Sequence, residues 1–165
     1  IDVQNFFINK FTKDIPKKIA SFIKHNKFDY IIFTKFVNKK GSNWFKAGYK
    51  KMMDKEETEI TPELQKYSNK ENTFTKTSFS VFRVKDIDQI LKNNNITNLY
   101  ICGLDTHACI YTTSLEAYER GFNVKVINDL CAASHGTKYH SEAIDFLIKN
   151  LGKNVVISSL SFPEI

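Results

Sequence analysis

Three cysteines are spread along 165 residues, and one of them stands where a thiol can react. Cys109 ends the stretch GLDTHAC, after the apolar run LYICG, and opens the amphipathic segment IYTTSLEAYERG. A cysteine in the first turn of a helix meets unpaired backbone N–H groups and the positive end of the helix dipole, both of which favour a thiolate. Cys102, inside LYICG, and Cys131, after Asp129 and Leu130, read as packing residues. An odd number of cysteines without a Cys-x-x-Cys pair makes no disulfide framework and fits a reducing, cytoplasmic setting. A nucleophile also needs a base and an orienting charge. Asp2, in IDVQNFF, and Lys76, in FTKTSFSVF, each close a strand-like run. A carboxylate there can take the thiol proton, while the ammonium tunes the carboxylate and favours ionised sulfur.

Bringing these three together requires a particular architecture. Runs rich in Ile, Val, Phe and Tyr alternate with helical patterns, which predicts an α/β fold: a three-layer αβα, Rossmann-like domain over residues 1–165. Expected strands are the tail Ile1 to Val3, YIIFTKF from Tyr30, TFTK from Thr73, LYICG from Leu99, NVKVIND from Asn123 and NVVIS from Asn154. Helices are expected after an Asp14 cap with Pro16 in the first turn, at TPELQKY, over VKDIDQILKNN, from His107 to Arg120 with Gly121 as its stop, and around Tyr139 to Asn150. In an open parallel sheet the carboxyl ends of the strands form the ligand site, and Asp2, Lys76 and Cys109 all fall at such ends. The chain opens on Ile1 rather than Met, which leaves room for a segment upstream.

A formal charge of +6 invites a nucleic-acid reading, but the lysines are scattered among Asn, Asp and Glu, without aromatic-basic alternation. No apolar run reaches the length of a membrane span, and no signal peptide is visible. The expected partner is a small-molecule substrate, with neither nucleic acid nor membrane.

IDVQNFF, KTSFSVF and YICGLDTHACIYTTSLEAYERGFNVKVINDLCAAS resemble the three signature regions of the isochorismatase-like cysteine hydrolases, a superfamily that includes nicotinamidases and N-carbamoylsarcosine amidase. The resemblance implies six parallel strands, an Asp-Lys-Cys triad at Asp2, Lys76 and Cys109, a cis peptide at Leu104-Asp105, and an oxyanion hole from the backbone N–H groups of Asp105 and Cys109. It also implies a homo-oligomer of unfixed number. Nicotinamidases carry an Asp-x-His pair after the second strand, whereas this chain has FTKFVNKKGSNWF and no histidine between His25 and His107. Isochorismatases proper typically lack the nucleophilic cysteine. These departures point to a metal-independent hydrolase of a small amide, with no cofactor. Two alternatives stay open: a non-catalytic oligomeric small-molecule-binding module, and a nicotinamidase with a divergent site.

Among the remaining candidates, Phe6, Phe36, Trp44, Phe79 and Phe82 are an aromatic set expected near the mouth, with Trp44 on a loop that a neighbouring subunit could also supply. Gln4 and Thr106 match motif positions and are expected to fix the Asp2 turn and the helix start. Thr106 and His107 are expected against substrate, His107 as a cap or wall rather than a partner of Cys109, two residues away. His107, His135 and His140 come from different turns with no evident carboxylate beside them, so no bound metal is expected.

Overall fold

The computed structural model describes residues 1–162. Five strands form two parallel sheets. Strand β1 (Phe33–Phe36) pairs with β2 (Thr73–Lys76), and β3 (Asn98–Gly103) pairs with β4 (Asn123–Cys131), which pairs with β5 (Val156–Ile157). Parallel pairing needs crossovers: α6 (Tyr111–Glu119) links β3 to β4 and α7 (Thr137–Leu151) links β4 to β5, while α1 (Ile15–His25) precedes β1 and α5 (Lys85–Asn93) joins the two sheets. Three one-turn helices, α2 (Asn43–Lys46), α3 (Lys55–Thr58) and α4 (Pro62–Gln65), punctuate the long connection from β1 to β2.

The expected six-stranded sheet is not what the structure describes. Ile1 to Val3 form no strand, yet they touch both sheets: Ile1 N donates to Cys102 O at 2.8 Å, Leu104 N donates to Ile1 O at 2.9 Å, and Asp2 N donates to Thr34 O at 3.1 Å. Beyond these contacts the facing edges of β1 and β3 part around an apolar cavity of about 700 Å³, lined by Phe28, Ile32, Leu91, Leu99 and Ile101 among others. YIIFTKF becomes a strand only from Phe33, where its register with β2 begins at Thr73, and Tyr30 to Ile32 line the opening.

Each sheet packs its apolar faces as the periodicity demands. Ile87 and Leu91 of α5, Ile101 of β3, Val124 and Val126 of β4 and Leu147 of α7 share one core cluster. Ile15 and Ile19 of α1 join Phe33, Leu104, Ile127 and Leu130 in a second. Asp14 does precede α1, but its side chain makes no capping bond, so Pro16 and the buried Ile15 and Ile19 define that helix start. Gly121 ends α6 as expected: at φ 87° it lets its own N–H reach Tyr118 O and Phe122 N reach Ala117 O. Among the described residues no helix is long and apolar enough to cross a membrane.

Candidate active site

Asp2, Lys76 and Cys109 lie 107 positions apart in sequence at the extremes and meet at the carboxyl ends of the strands. Lys76 is the last residue of β2, and its Nζ lies 2.6 Å from Asp2 Oδ2, with both side chains fully buried. The same Nζ donates to Cys109 Sγ at 3.3 Å, to Ser78 O at 2.8 Å and to Phe79 O at 3.0 Å. An ammonium has three N–H donors, and these three acceptors account for them.

The carboxylate is held asymmetrically. Thr34 donates its hydroxyl to Asp2 Oδ1 at 2.7 Å. Asp2 Oδ2 has the lysine as ion-pair neighbour but no aligned hydrogen bond, which leaves it a lone pair for an incoming proton. The position itself is set by the backbone. Asp2 has φ 50°, a left-handed conformation that Asp tolerates better than most residues. Gln4 clamps the next turn to β1, donating to Phe36 O at 3.0 Å and Thr58 O at 2.8 Å and accepting from Phe36 N at 2.8 Å.

Cys109 is buried and sits not in an ordinary first turn but in a wider one, Thr106–Ile110, where Ile110 N reaches back five residues to Asp105 O. Burial pushes its thiol pKa up, the Asp2 charge pushes it further, and Lys76 offsets only part of this. Burial and the Asp2 charge thus act against the thiolate that a helix terminus favours. Cys102 and Cys131 are raised by burial too, in keeping with packing roles.

The Leu104-Asp105 peptide is cis. In the turn that follows, Thr106 N is spent on Ala132 O, and Ala108 N and Ile110 N both converge on Asp105 O. The N–H of Asp105 takes no part in these bonds.

A match to the isochorismatase domain runs over residues 1–159, nearly the whole chain. The chain belongs to the isochorismatase family. Its fold is similar to that of an isochorismatase-like hydrolase from Alkaliphilus metalliredigens (TM-score 0.81, 19% identity, covering 98% of this chain and 93% of that one). It is also similar to nicotinamidase PncA from Bacillus subtilis (TM-score 0.77, 21% identity, 95% and 96% covered) and to N-carbamoylsarcosine amidase from Thermoplasma acidophilum (0.76, 19%, 96% and 92%). An uncharacterised isochorismatase family protein of Bacillus subtilis, also called PncA, is 28% identical over 98 residues, or 58% of this chain and 53% of that protein. The chain thus spans about half the length of that relative.

Around Asp2, Lys76 and Cys109 of this isochorismatase-family chain, the aromatic residues divide. Trp44 packs edge-on against Phe36 (5.6 Å between centroids) and Phe79 (4.8 Å), and its Nε1 donates to Thr77 O at 2.8 Å. All three belong to one chain, so the wall needs no neighbouring subunit for Trp44. Phe6 is exposed and stacks edge-on with Phe7 instead. Phe82 lies in the β3–β4 core against Phe122, away from the mouth. Thr106 is fully buried, and its hydroxyl meets His140 Nδ1 at 2.8 Å. His107 is half-buried beside His135 and Tyr139.

Several residues escape a reading of the sequence. Thr34 sits inside an apolar strand, where a lone hydroxyl near the carboxyl end is the available signal. Tyr49 has its phenol pushed up to about 12 by burial and by the charges of Glu57 and Asp105, so it stays a proton donor. Asp105 accepts from Ser134 N and Ser134 Oγ, both at 2.6 Å, which ties the turn before Cys109 to the loop after β4. It also places a carboxylate beside His107 and His135, the partner that sequence reading finds lacking.

Proposed function

We propose that this chain is a hydrolase that cleaves the C–N bond of a small amide through a thioester on Cys109, with Asp2, Lys76 and Cys109 as the triad. The observation that carries this reading is the ion pair of Asp2 and Lys76 set against the Cys109 sulfur, with one carboxylate oxygen held by Thr34 and the other free to accept a proton. A buried ion pair is weak evidence for stability and costs desolvation, so a functional role explains its presence better than a structural one.

In the first half-reaction Sγ attacks the amide carbonyl as its proton passes to Asp2 Oδ2. The oxygen becomes an oxyanion and takes the N–H groups of Asp105 and Cys109. The protonated Asp2 then returns the proton to the nitrogen, the C–N bond breaks, and the amine leaves a thioester. Water next attacks the thioester carbonyl while giving a proton to Asp2. The C–S bond breaks, the acid departs, and Asp2 reprotonates the sulfur. Lys76 holds the carboxylate in place and compensates the charge that passes through sulfur. No step uses a metal or cofactor.

A raised thiol pKa suits this cycle, because the proton moves when the substrate is bound. It also means that general alkylation rates do not separate an enzyme from a binding module of the same fold. Acylation does. Intact-mass analysis after rapid quench with a panel of small primary amides, including nicotinamide and N-carbamoyl compounds, is expected to show an acyl adduct that disappears in Cys109→Ala. Turnover of an amide without any adduct, or with Cys109→Ala still active, overturns covalent catalysis. No turnover and no adduct across the panel, with amides bound by the folded protein, favours the binding module.

We infer a homo-oligomer in which both sheets and the Ile1–Val3 segment act as one six-stranded scaffold, as the family resemblance implies, and a cytoplasmic setting from three unpaired cysteines.

A further inference from the structure

Outside the triad, one cluster of metal-ligating side chains stands apart. Asp105, His107 and His135 each offer a ligand atom, and these atoms all lie within 4.8 Å of one another. We propose that Asp105, His107 and His135 form a binding site for one divalent transition-metal ion, which clamps the turn before Cys109 to the loop after β4. Two imidazoles and one carboxylate form a donor set that suits zinc and its first-row neighbours and does not suit calcium or magnesium.

Four observations support the assignment. Asp105 is nearly buried and already oriented, since Ser134 N and Ser134 Oγ both donate to it at 2.6 Å, the outer-shell support that a metal-bound carboxylate needs. His107 Nδ1 is buried and has no hydrogen-bond partner, a cost that a metal bond at this imidazole would offset. His135 lies with Nδ1 3.9 Å from Asp105 Oδ2, and its side chain is 67% exposed. Zinc bonds of about 2.0–2.2 Å need tetrahedral ligand atoms closer than that, and the exposed imidazole is the member free to close the gap. His140, the third histidine of this region, is engaged with Thr106 and so stands outside the set.

The site shares no side chain with Asp2, Lys76 or Cys109. Three protein ligands leave a coordination position for water or a substrate atom. The test therefore uses the full chain carrying Cys109→Ser, so that it does not depend on the hydrolase reading and the thiol cannot bind the metal itself. Titration with cobalt(II) is expected to give one equivalent of saturable visible absorption without a thiolate charge-transfer band, and calorimetry with zinc(II) to give the same stoichiometry.

His135→Ala, on an exposed side chain, is expected to weaken binding by about tenfold or more, and Ser134→Ala by less, through loss of one hydrogen bond to Asp105. His25→Ala, on α1, should leave it unchanged. Circular dichroism establishes that each variant is folded. No saturable binding, binding with a thiolate band, or full affinity in a folded His135→Ala protein overturns the site.

Discussion

Lys76→Met tests the buried ion pair more directly than any other single change. Methionine nearly fills the lysine volume but removes the ammonium that stands 2.6 Å from Asp2 Oδ2 in full burial. Removing one partner of such a pair leaves an uncompensated charge and costs about 3–5 kcal/mol. In a chain of 165 residues, 1 kcal/mol moves the melting temperature by about 2–4 °C, so the variant should melt roughly 6–20 °C lower. Part of this loss comes from Ser78 O and Phe79 O, which lose the donor they share.

The double variant Asp2→Asn/Lys76→Met separates the two contributions. It removes both charges and keeps a residue that tolerates φ 50° at position 2, so it should regain about 2 kcal/mol while leaving the two carbonyls unpaired. Urea unfolding of wild type, both singles and the double gives the coupling. Turnover should fall by about 10²-fold or more in all three. Equal stability in Lys76→Met and the double, or a single variant as stable as wild type, would refute the claim that Asp2 depends on the lysine for its charge.

Asp2→Asn alone should lose turnover yet make Cys109 ionise more readily, because the Asp2 charge raises the thiol pKa and Lys76 stays to lower it. Iodoacetamide at pH 8 should then label Cys109 faster than in wild type, and slower labelling would contradict that assignment. Gly103→Ala should destabilise the fold by about 2–3 kcal/mol, since a Cβ there would lie 2.1 Å from Ile1 O at a φ of +124°; a normal denaturation midpoint would show that the Ile1 contact does not hold Asp2. Burial lowers the pKa of His107 and His140, so the unfolded chain binds more protons, and the stability that these groups contribute is present above their ordinary pKa and lost as pH falls below about 6.5. Melting temperature should decline from pH 7 to pH 5, less so in His140→Asn, which keeps a partner for Thr106; an unchanged slope would sink the assignment. Dialysis against a strong chelator should leave amide hydrolysis unchanged, and activity lost on chelation and restored by zinc would route the reaction through a metal.

Local chemistry determines much of this protein. Alternating strand and helix patterns specify α/β, Gly121 stops α6 because only a positive φ satisfies the last carbonyls, and Lys76 closes a strand. Such features depend on neighbours along the chain and are legible in it. Tertiary structure decided what depends on neighbours in space. YIIFTKF has the composition of a seven-residue strand but pairs only from Phe33, because pairing needs a second edge and β2 supplies one only from Thr73. Burial and the Asp2 charge, which raise the Cys109 thiol, come from residues distant in the chain. Thr34 and Asp2 are separated by 32 positions, and Asp105 and Ser134 by 29, so neither hydrogen bond has a local signature. His107 stands two residues from Asp105, but His135 meets them where Ser134 pins the loop after β4 to Asp105, and no spacing along the chain encodes that closure.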